Sequence, residues 1–382
     1  MEPVKLAVIG IGNMGTFHLA NIAKQPKVEL TAVCDIVPER TQTMAEMYGV
    51  KGYNDSESLL ADHICEAVII ATPHYFHTTI GASALQQGYH VLVEKPISVH
   101  KADCERLIAA HTNSNLVFAA MFQMRTDPHY QKIREIVKSG KLGPLTRINW
   151  IITDWFRPEF YYTSGGWRAT WKGEGGGVLL NQCPHNLDQI QWIFGMPEQI
   201  HSYCGLGWWH NIEVEDQVTT YMKYPGKCTG VFVTSTGEAP GTNRLEIIGD
   251  RGKLIFENGK LVLFQNQIPT SEFSQTTRGM FTRPDFEEIE IPIDGVGGQH
   301  AEVLENFLDA IRLGSPLIAP AEEGIHSVEL ANAMLFSSFT HQPIDLPMDG
   351  CAYEKLLMGL IESSTYSKQS INVIESDMKK SF

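Results

Sequence analysis

Asn181, His185 and Asp188 stand at i, i+4 and i+7 in the run Gly175-Gly176-Gly177-Val178-Leu179-Leu180-Asn181-Gln182-Cys183-Pro184-His185-Asn186-Leu187-Asp188. That spacing lines one face of a helix, provided Pro184 does not break it. An imidazole that titrates near neutrality suits taking a proton from an alcohol while hydride leaves the carbon. The glycines ahead of this face let a ligand or another backbone come close. A second candidate is Lys95, in Glu94-Lys95-Pro96 directly after the apolar run Val91-Leu92-Val93. Pro96 biases Lys95 toward extended backbone, and an ammonium there can point at a substrate hydroxyl or carbonyl. Taken alone, a histidine is more often a satisfied core residue and a lysine a solvated surface charge. Position is what makes these two candidates.

A third group reads as a phosphate cradle. Gly10-Ile11-Gly12-Asn13-Met14-Gly15 fits G-x-G-x-x-G between an apolar strand and a helix start. The first glycine permits the turn, the second lets backbone approach a pyrophosphate, and the third allows close helix–strand packing. The helix start then offers free N–H groups and partial positive charge. Asp35 follows Gly15 by 20 residues at the end of the next strand, where a carboxylate binds a ribose diol. It would repel the 2′-phosphate of NADP; Ile36 and Val37 bring no cation and Arg40 is a turn away. The cofactor expected is NAD, with NADP disfavoured.

The elements that must position these groups alternate in type. Lys5–Ile9, Val28–Cys34, Ala67–Ala71, Tyr89–Val93 and Leu116–Ala120 read as buried strands. Helices are expected at Met14 to about Lys24, from Pro38 to near Gly49, from about Phe76 to Gln87 and near Ala102–His111. Alternating strands and helices predict a doubly wound parallel Rossmann sheet over residues 1–124. Residues 125–382 read as an α+β domain with a large, open, mostly antiparallel sheet. It contains a helix at Tyr130–Lys138, a strand at Leu145–Asp154, a single helix at Leu179–Phe194, strands across 199–293, and helices at Ala301–Leu313, Ala321–Phe339 and Glu354–Glu362. The last helices are free to pack back on the first domain.

Between strand and helix lies a Gly- and Trp-rich segment, Trp155 to Gly177, too polar and irregular for a core element and therefore a candidate functional loop. It supplies Arg157, Tyr161, Trp167 and Arg168. Aromatic faces stack on the C–H face of a sugar, and guanidinium groups donate to hydroxyls or an anion. His74-x-x-His77 and Trp208-Trp209-His210 lack the companions a metal site needs, so no metal is expected.

The chain has 382 residues with 44 acidic and 30 basic side chains, a formal charge of −14, and 43% hydrophobic residues. This supports a two-domain globular protein and argues against a nucleic acid or anionic membrane as the main partner. Seven scattered cysteines without a C-x-x-C pair suggest a reducing cytoplasm. Met1-Glu2-Pro3 leads straight into a strand, leaving no room for a signal peptide, and no apolar run approaches the ~18 residues of a membrane span.

Together the glycine motif, Thr72-Pro73 with His77, Glu94-Lys95-Pro96, the Gly175–Asp188 segment and the late antiparallel sheet resemble the glucose-fructose oxidoreductase / inositol dehydrogenase / rhizopine-catabolism (Gfo/Idh/MocA) oxidoreductases. The resemblance spans nearly the whole chain. It implies that Lys95 is the catalytic lysine and His185 the proton-transferring histidine. It also implies that Thr72, Pro73, His77, Glu94 and Lys95 join Gly10, Gly12, Asn13, Met14, Gly15 and Asp35 around the cofactor, and that Asn181 and Asp188 join the substrate side. Asn181 stands where many members carry Asp, and His74 where Asn is common after the Thr-Pro pair. A neutral amide at 181 gives the histidine no anionic support, which makes His185 a stronger proton donor.

The expected activity is NAD-dependent oxidation of a secondary hydroxyl of a sugar, glycoside or cyclitol by a homodimer or homotetramer. Two alternatives remain open at this point. One is NAD-dependent glycoside cleavage by oxidation, elimination and re-reduction; the other is a sugar- or NAD-sensing regulator without turnover.

Overall fold

The structure is a computed structural model that describes residues 2–163 and 165–368. Six short segments form the first sheet: β1 (Val4–Ile9), β2 (Val28–Cys34), β3 (Lys51–Tyr53), β4 (Ala67–Ile70), β5 (His90–Val93) and β6 (Phe118–Ala120). All pair in parallel in the order β3-β2-β1-β4-β5-β6. Val68, Ile69, Val91 and Leu92 are fully buried, as strands covered on both faces must be. The strand order reverses between β1 and β4, which opens a crevice beyond their carboxyl ends. Gly10, Asp35, Thr72 and Glu94 all lie just past strand ends on that edge.

The second sheet has nine strands: β7 (Leu145–Ile152), β8 (Gln199–Leu206), β9 (Glu215–Lys223), β10 (Thr229–Ser235), β11 (Asn243–Gly249), β12 (Gly252–Glu257), β13 (Lys260–Asn266), β14 (Phe286–Ile291) and β15 (Ile344–Asp345). Their order is β14-β13-β12-β11-β7-β10-β9-β8-β15, and the β7–β10 pair alone among them is parallel. Alternation along β9 buries Asp216, Val218, Thr220 and Met222 and leaves Tyr221 on the outer face. On the inner face the core gathers Trp150, Phe232 and Leu245 with Leu187 and Ile190 of the helix Pro184–Phe194 and with Leu330 and Met334 of the helix Gly324–Thr340. The helix Gln299–Leu313 returns to the first sheet, where Val303, Leu304, Phe307 and Leu308 pack against Leu6, Val8 and Leu92.

Two sequence expectations are corrected. The single helix at 179–194 is two, Val178–Asn181 and Pro184–Phe194. Pro184 has no N–H, and its ring would meet the carbonyl one turn back, so the chain breaks and restarts with Pro184 in the first turn. The Trp155–Gly177 segment is not wholly outside the core. It carries a short helix, Glu159–Thr163, and Tyr162, Ala169 and Trp171 are buried with the second sheet.

The two sheets meet at Arg125, in a short turn of 3₁₀ helix after β6. Its Nε and Nη2 donate to the two carboxylate oxygens of Asp188 at 2.8 and 2.6 Å, and both side chains are 1% exposed. Nη1 reaches Glu323 at 2.6 Å and the carbonyl of Ile318 at 3.1 Å. Asp188, expected on the substrate side, therefore has both oxygens on a guanidinium and serves the junction. Removing one partner of a buried pair leaves the other desolvated and uncompensated. Asp188→Ala should lower unfolding free energy by about 3 kcal/mol in urea denaturation. Lys132→Ala, which breaks an exposed pair with Glu135, should cost under about 1 kcal/mol.

Candidate active site

The cradle at the end of β1 is built as its glycines suggest. Gly10 has φ +87°, and a Cβ there would lie 2.7 Å from backbone of Ala71 and Thr72. A Cβ on Gly15 would lie 1.9 Å from the carbonyl oxygen of Gly10. Gly12 faces open space, with nothing within 4 Å of a built Cβ. Gly12 precedes the helix Asn13–Ile22, whose first turn, with Asn13 and Met14, carries no acidic side chain. Open room at the second glycine and an uncompensated helix start fit a dinucleotide diphosphate.

Asp35 receives the N–H groups of Ile11 (2.9 Å) and Val37 (3.0 Å). Arg40 is not a turn away from it, as the sequence suggested. The helix beginning at Pro38 folds its guanidinium back, and Nη1 lies 3.1 and 3.0 Å from the two Asp35 oxygens. An added 2′-phosphate would have to compete with this pair.

At the ends of β4 and β5, Thr72 Oγ1 is buried without a partner. His77, expected at the cofactor, bonds backbone through both nitrogens: Nδ1 to the Pro96 carbonyl and Nε2 to that of Thr72, each at 2.8 Å. It ties the loop carrying Thr72-Pro73 to the loop carrying Lys95. Glu94 likewise points inward, with Oε1 2.7 Å from His18 Nε2 and Oε2 accepting the Lys95 N–H at 3.1 Å. Burial pushes the Glu94 carboxyl up, but the His18 bond and the charges of His18, His300 and Lys95 overcome it and hold it at about 2. Lys95 itself precedes a cis peptide bond to Pro96.

Lys95 Nζ donates to the carbonyl of Asn181 at 3.0 Å, four residues before His185. The ammonium of one domain and the imidazole of the other thus share one site. Burial lowers the Lys95 pKa below its ordinary value, against the pull of Glu94. His185 is 5% exposed and its pKa lies well below 6.5, through burial first and then the charges of Lys95 and His300. It is unprotonated at neutral pH. The Gln123 amide occupies Nε2 at 3.1 Å, while Nδ1 is buried without a partner. With the Gln123 –NH2 donating to it, Nε2 holds the ring's lone pair, and the neutral ring carries its proton on Nδ1.

The side-chain hydrogen bonds of Asn181 run away from the histidine. Its Nδ2 donates to Glu174, and Oδ1 accepts from the Tyr161 hydroxyl at 3.0 Å and the Gln182 amide at 3.1 Å. Arg168 donates to the Tyr161 oxygen at 2.9 Å, and its guanidinium stacks near the rings of Tyr161 and Trp167, 4.9 and 4.7 Å from their centroids. Arg157 lies 5.4 Å from the Tyr161 ring, and Trp167 packs edge-on against His74. Of the residues predicted from sequence, the structure brings Lys95, Arg157, Tyr161, Trp167, Arg168 and Asn181 into one neighbourhood with His185, and sends Asp188 and His77 to structural bonds. Sequence reasoning missed Gln123, Glu174, His18 and His300. Gln123 had a signal, since it follows a parallel strand on the ligand-binding edge. Glu174 directly precedes the glycine run. Among the described residues His100, Asp103 and Glu354 cluster closely enough for a metal, but Arg106 already bridges both carboxylates.

A nucleotide cradle on a parallel sheet, with a lysine and a neutral histidine meeting across a domain junction, defines a two-domain pyridine-nucleotide oxidoreductase. Residues 4–122 match the oxidoreductase family with NAD-binding Rossmann fold, and residues 130–255 match the GFO/IDH/MocA C-terminal domain. The chain belongs to the Gfo/Idh/MocA oxidoreductase family, and its amino-terminal domain is NAD-binding. It is 24% identical to myo-inositol 2-dehydrogenase of Thermotoga maritima over 332 residues, 84% of this chain and 92% of that protein. It is 36% identical to inositol 2-dehydrogenase of Salmonella typhimurium over 144 residues, 37% of this chain and 43% of that one. The fold is shared with the WlbA dehydrogenase of Bordetella pertussis, solved with NADH and UDP-GlcNAcA (TM-score 0.78, 22% identity, 91% and 100% of the two chains). It is also shared with levoglucosan dehydrogenase, solved with NADH and levoglucosan (TM-score 0.75, 19% identity, 91% and 100%). Among the described residues no helix is long and apolar enough to cross a membrane.

A carboxylate placed against the imidazole would stabilise its protonated form. Gln123→Glu should therefore raise the His185 pKa and move the acid limb of the pH–kcat/KM profile for alcohol oxidation to higher pH by about one unit. In the unaltered protein that limb should fall below pH 6.5, because the base is lost only as pH drops through the depressed value.

Proposed function

We propose that this chain is an NAD-dependent dehydrogenase that oxidises a secondary hydroxyl of a sugar, glycoside or cyclitol. The observation that carries the reading is the Lys95 ammonium on the carbonyl of Asn181, four residues before a buried, neutral His185 on which its charge acts. NAD, when bound, supplies the acceptor for the hydride that leaves the carbinol carbon. His185 takes the hydroxyl proton as the C–O bond gains double-bond character, and the Lys95 ammonium holds the oxygen through the change. In the reverse direction the same two groups return the proton and polarise the carbonyl. The neutral state of His185 favours its use as a base at neutral pH, so the expectation of a strong proton donor applies only once it has been charged by the substrate. Burial, not the Asn181 amide, is what keeps it neutral.

Arg157, Tyr161, Trp167, Arg168 and Asn181 form the substrate side in this reading. They offer aromatic faces for a C–H surface and donors for hydroxyls. The relatives named as inositol dehydrogenases and the levoglucosan dehydrogenase fold support a polyhydroxylated ring. Seven free cysteines support a reducing cytoplasm. On the outer face of the nine-stranded sheet Tyr203, Tyr221 and Ile151 are exposed, which supports pairing into a homodimer or homotetramer.

A screen of monosaccharides, glycosides and inositols with NAD, read as NADH absorbance, should find a substrate. Aglycone release without NADH accumulation would instead indicate cleavage by transient oxidation. Lys95→Met should lower kcat by at least about 100-fold with the KM for NAD changed far less; full turnover in that variant would refute the assignment.

A further inference from the structure

Glu174 is a carboxylate inside the site to which no role has been given. It is 2% exposed, and both of its oxygens accept hydrogen bonds: one from the side-chain amide of Asn181, the other from the N–H of Ala169 at 2.6 Å. Its backbone carbonyl faces the ring of His74. Two donors on two oxygens is the pattern of an ionised carboxylate, since a protonated one would present a donor to a donor. Asn181 is held at both ends: its amide lies on Glu174, and its main-chain carbonyl receives the Lys95 ammonium at 3.0 Å. The same amide carries the Tyr161 hydroxyl, on which Arg168 also rests. Lys95, Arg168 and Lys368 form no ion pair among the described residues. Their bonds run to the carbonyl of Asn181, the phenol of Tyr161 and the carbonyl of Arg168.

Building on the reading of Lys95 as the group that holds the reacting oxygen, we propose that Glu174 is the positioning residue for Lys95. It fixes Asn181 by its side chain, Asn181 holds the ammonium by its carbonyl, and the carboxylate is the counter-charge on the substrate-domain side of a site rich in cations. The other carboxylate near the lysine, Glu94, is tied to His18.

The charged and titratable groups that act on Lys95 set the sign of the effect. Burial lowers its pKa; Glu94, Glu174 and Cys183 raise it, and Arg168 lowers it. His74, His77, His185 and His300 also sit within reach of its charge. Around Glu174, burial pushes the carboxyl up, whereas Arg168, the Ala169 N–H, Asn181 and Lys368 pull it down, and it acts in turn on Tyr162 and Glu215. Deleting the Glu174 charge thus lowers the Lys95 pKa further, so the ammonium is lost at lower pH.

The test titrates Lys95 directly. Full-length protein labelled with carbon-13 at the lysine Cε positions is followed by NMR against pH, and the Lys95 signal is assigned by its loss in Lys95→Arg. Glu174→Gln should lower the Lys95 pKa by about one unit. Glu174→Asp keeps the charge on a shorter arm and should show a smaller fall. Should the glutamine variant fail to fold, the aspartate variant decides. A Lys95 titration unchanged in whichever variant folds, at an unchanged thermal midpoint, overturns the proposal. With a substrate in hand, the basic limb of the kcat/KM profile should move to lower pH by the same amount in Glu174→Gln while the KM for NAD stays put; a fixed basic limb also overturns it. Wild-type protein that forms no NADH with any polyol defeats the dehydrogenase reading, yet the NMR titration still decides on Glu174.

Discussion

The buried pairing of Arg125 with Asp188 is the constraint from which the site geometry follows. Arg125 lies two residues beyond Gln123, and Asp188 three residues beyond His185, so the double hydrogen bond between them fixes how the second domain's helix seats against the turn leaving the first sheet. The Gln123–His185 contact follows from that seating, and the carbonyl of Asn181 comes to rest over Lys95. A fork of two parallel N–H···O bonds has a strong directional requirement, unlike apolar contact. It is suited to defining an angle between two bodies as well as holding them together.

Desolvation is the common physical theme of the residues around this junction. It pushes Lys95 and His185 toward their neutral forms and Glu174 toward its protonated form. Glu94 pulls Lys95 back, and Arg168, the Ala169 N–H and Asn181 pull Glu174 back, whereas at His185 the charges of Lys95 and His300 add to burial. Glu94 is held ionised by His18 despite its burial, whereas Glu215 ends raised to about 7, burial outweighing the N–H groups of Gly177 and Leu179 at the glycine-rich entry. A low-dielectric enclosure of this kind strengthens every electrostatic contact made within it. The glycine run matters here through close approach: a Cβ on Gly177 would lie 2.0 Å from the carbonyl oxygen of Glu215.

Much of the first domain was legible because its signals are local. Continuous apolar strands, glycine punctuation and an acidic residue at the second strand end require no long-range information, and the elements missed were the short ones, the strand Lys51–Tyr53 and the helix Ser56–Ala61. Lys95 and His185 could be picked out by position. Side-chain destinations could not, because they depend on which element packs opposite. Asp188 reads as a site carboxylate on a helical face, and only the fold reveals Arg125 waiting for it. Arg40 looks remote from Asp35 along the chain, yet the helix start turns it back. Glu174 stands just before the glycine run, but its meaning lies in contacts with Asn181 and Ala169.

The helix Gln299–Leu313 covers part of the first sheet with Val303, Leu304, Phe307 and Leu308. During synthesis that surface emerges from the ribosome long before its cover does. Leu6 and Val8 must wait, exposed or held by a chaperone, until translation has passed the whole nine-stranded sheet except its last short edge strand, β15. The nucleotide-binding half is therefore not finished when its own last strand has been made. Its completion is coupled to the arrival of a distant segment, so a polypeptide stopped before Leu308 would display an uncovered apolar face.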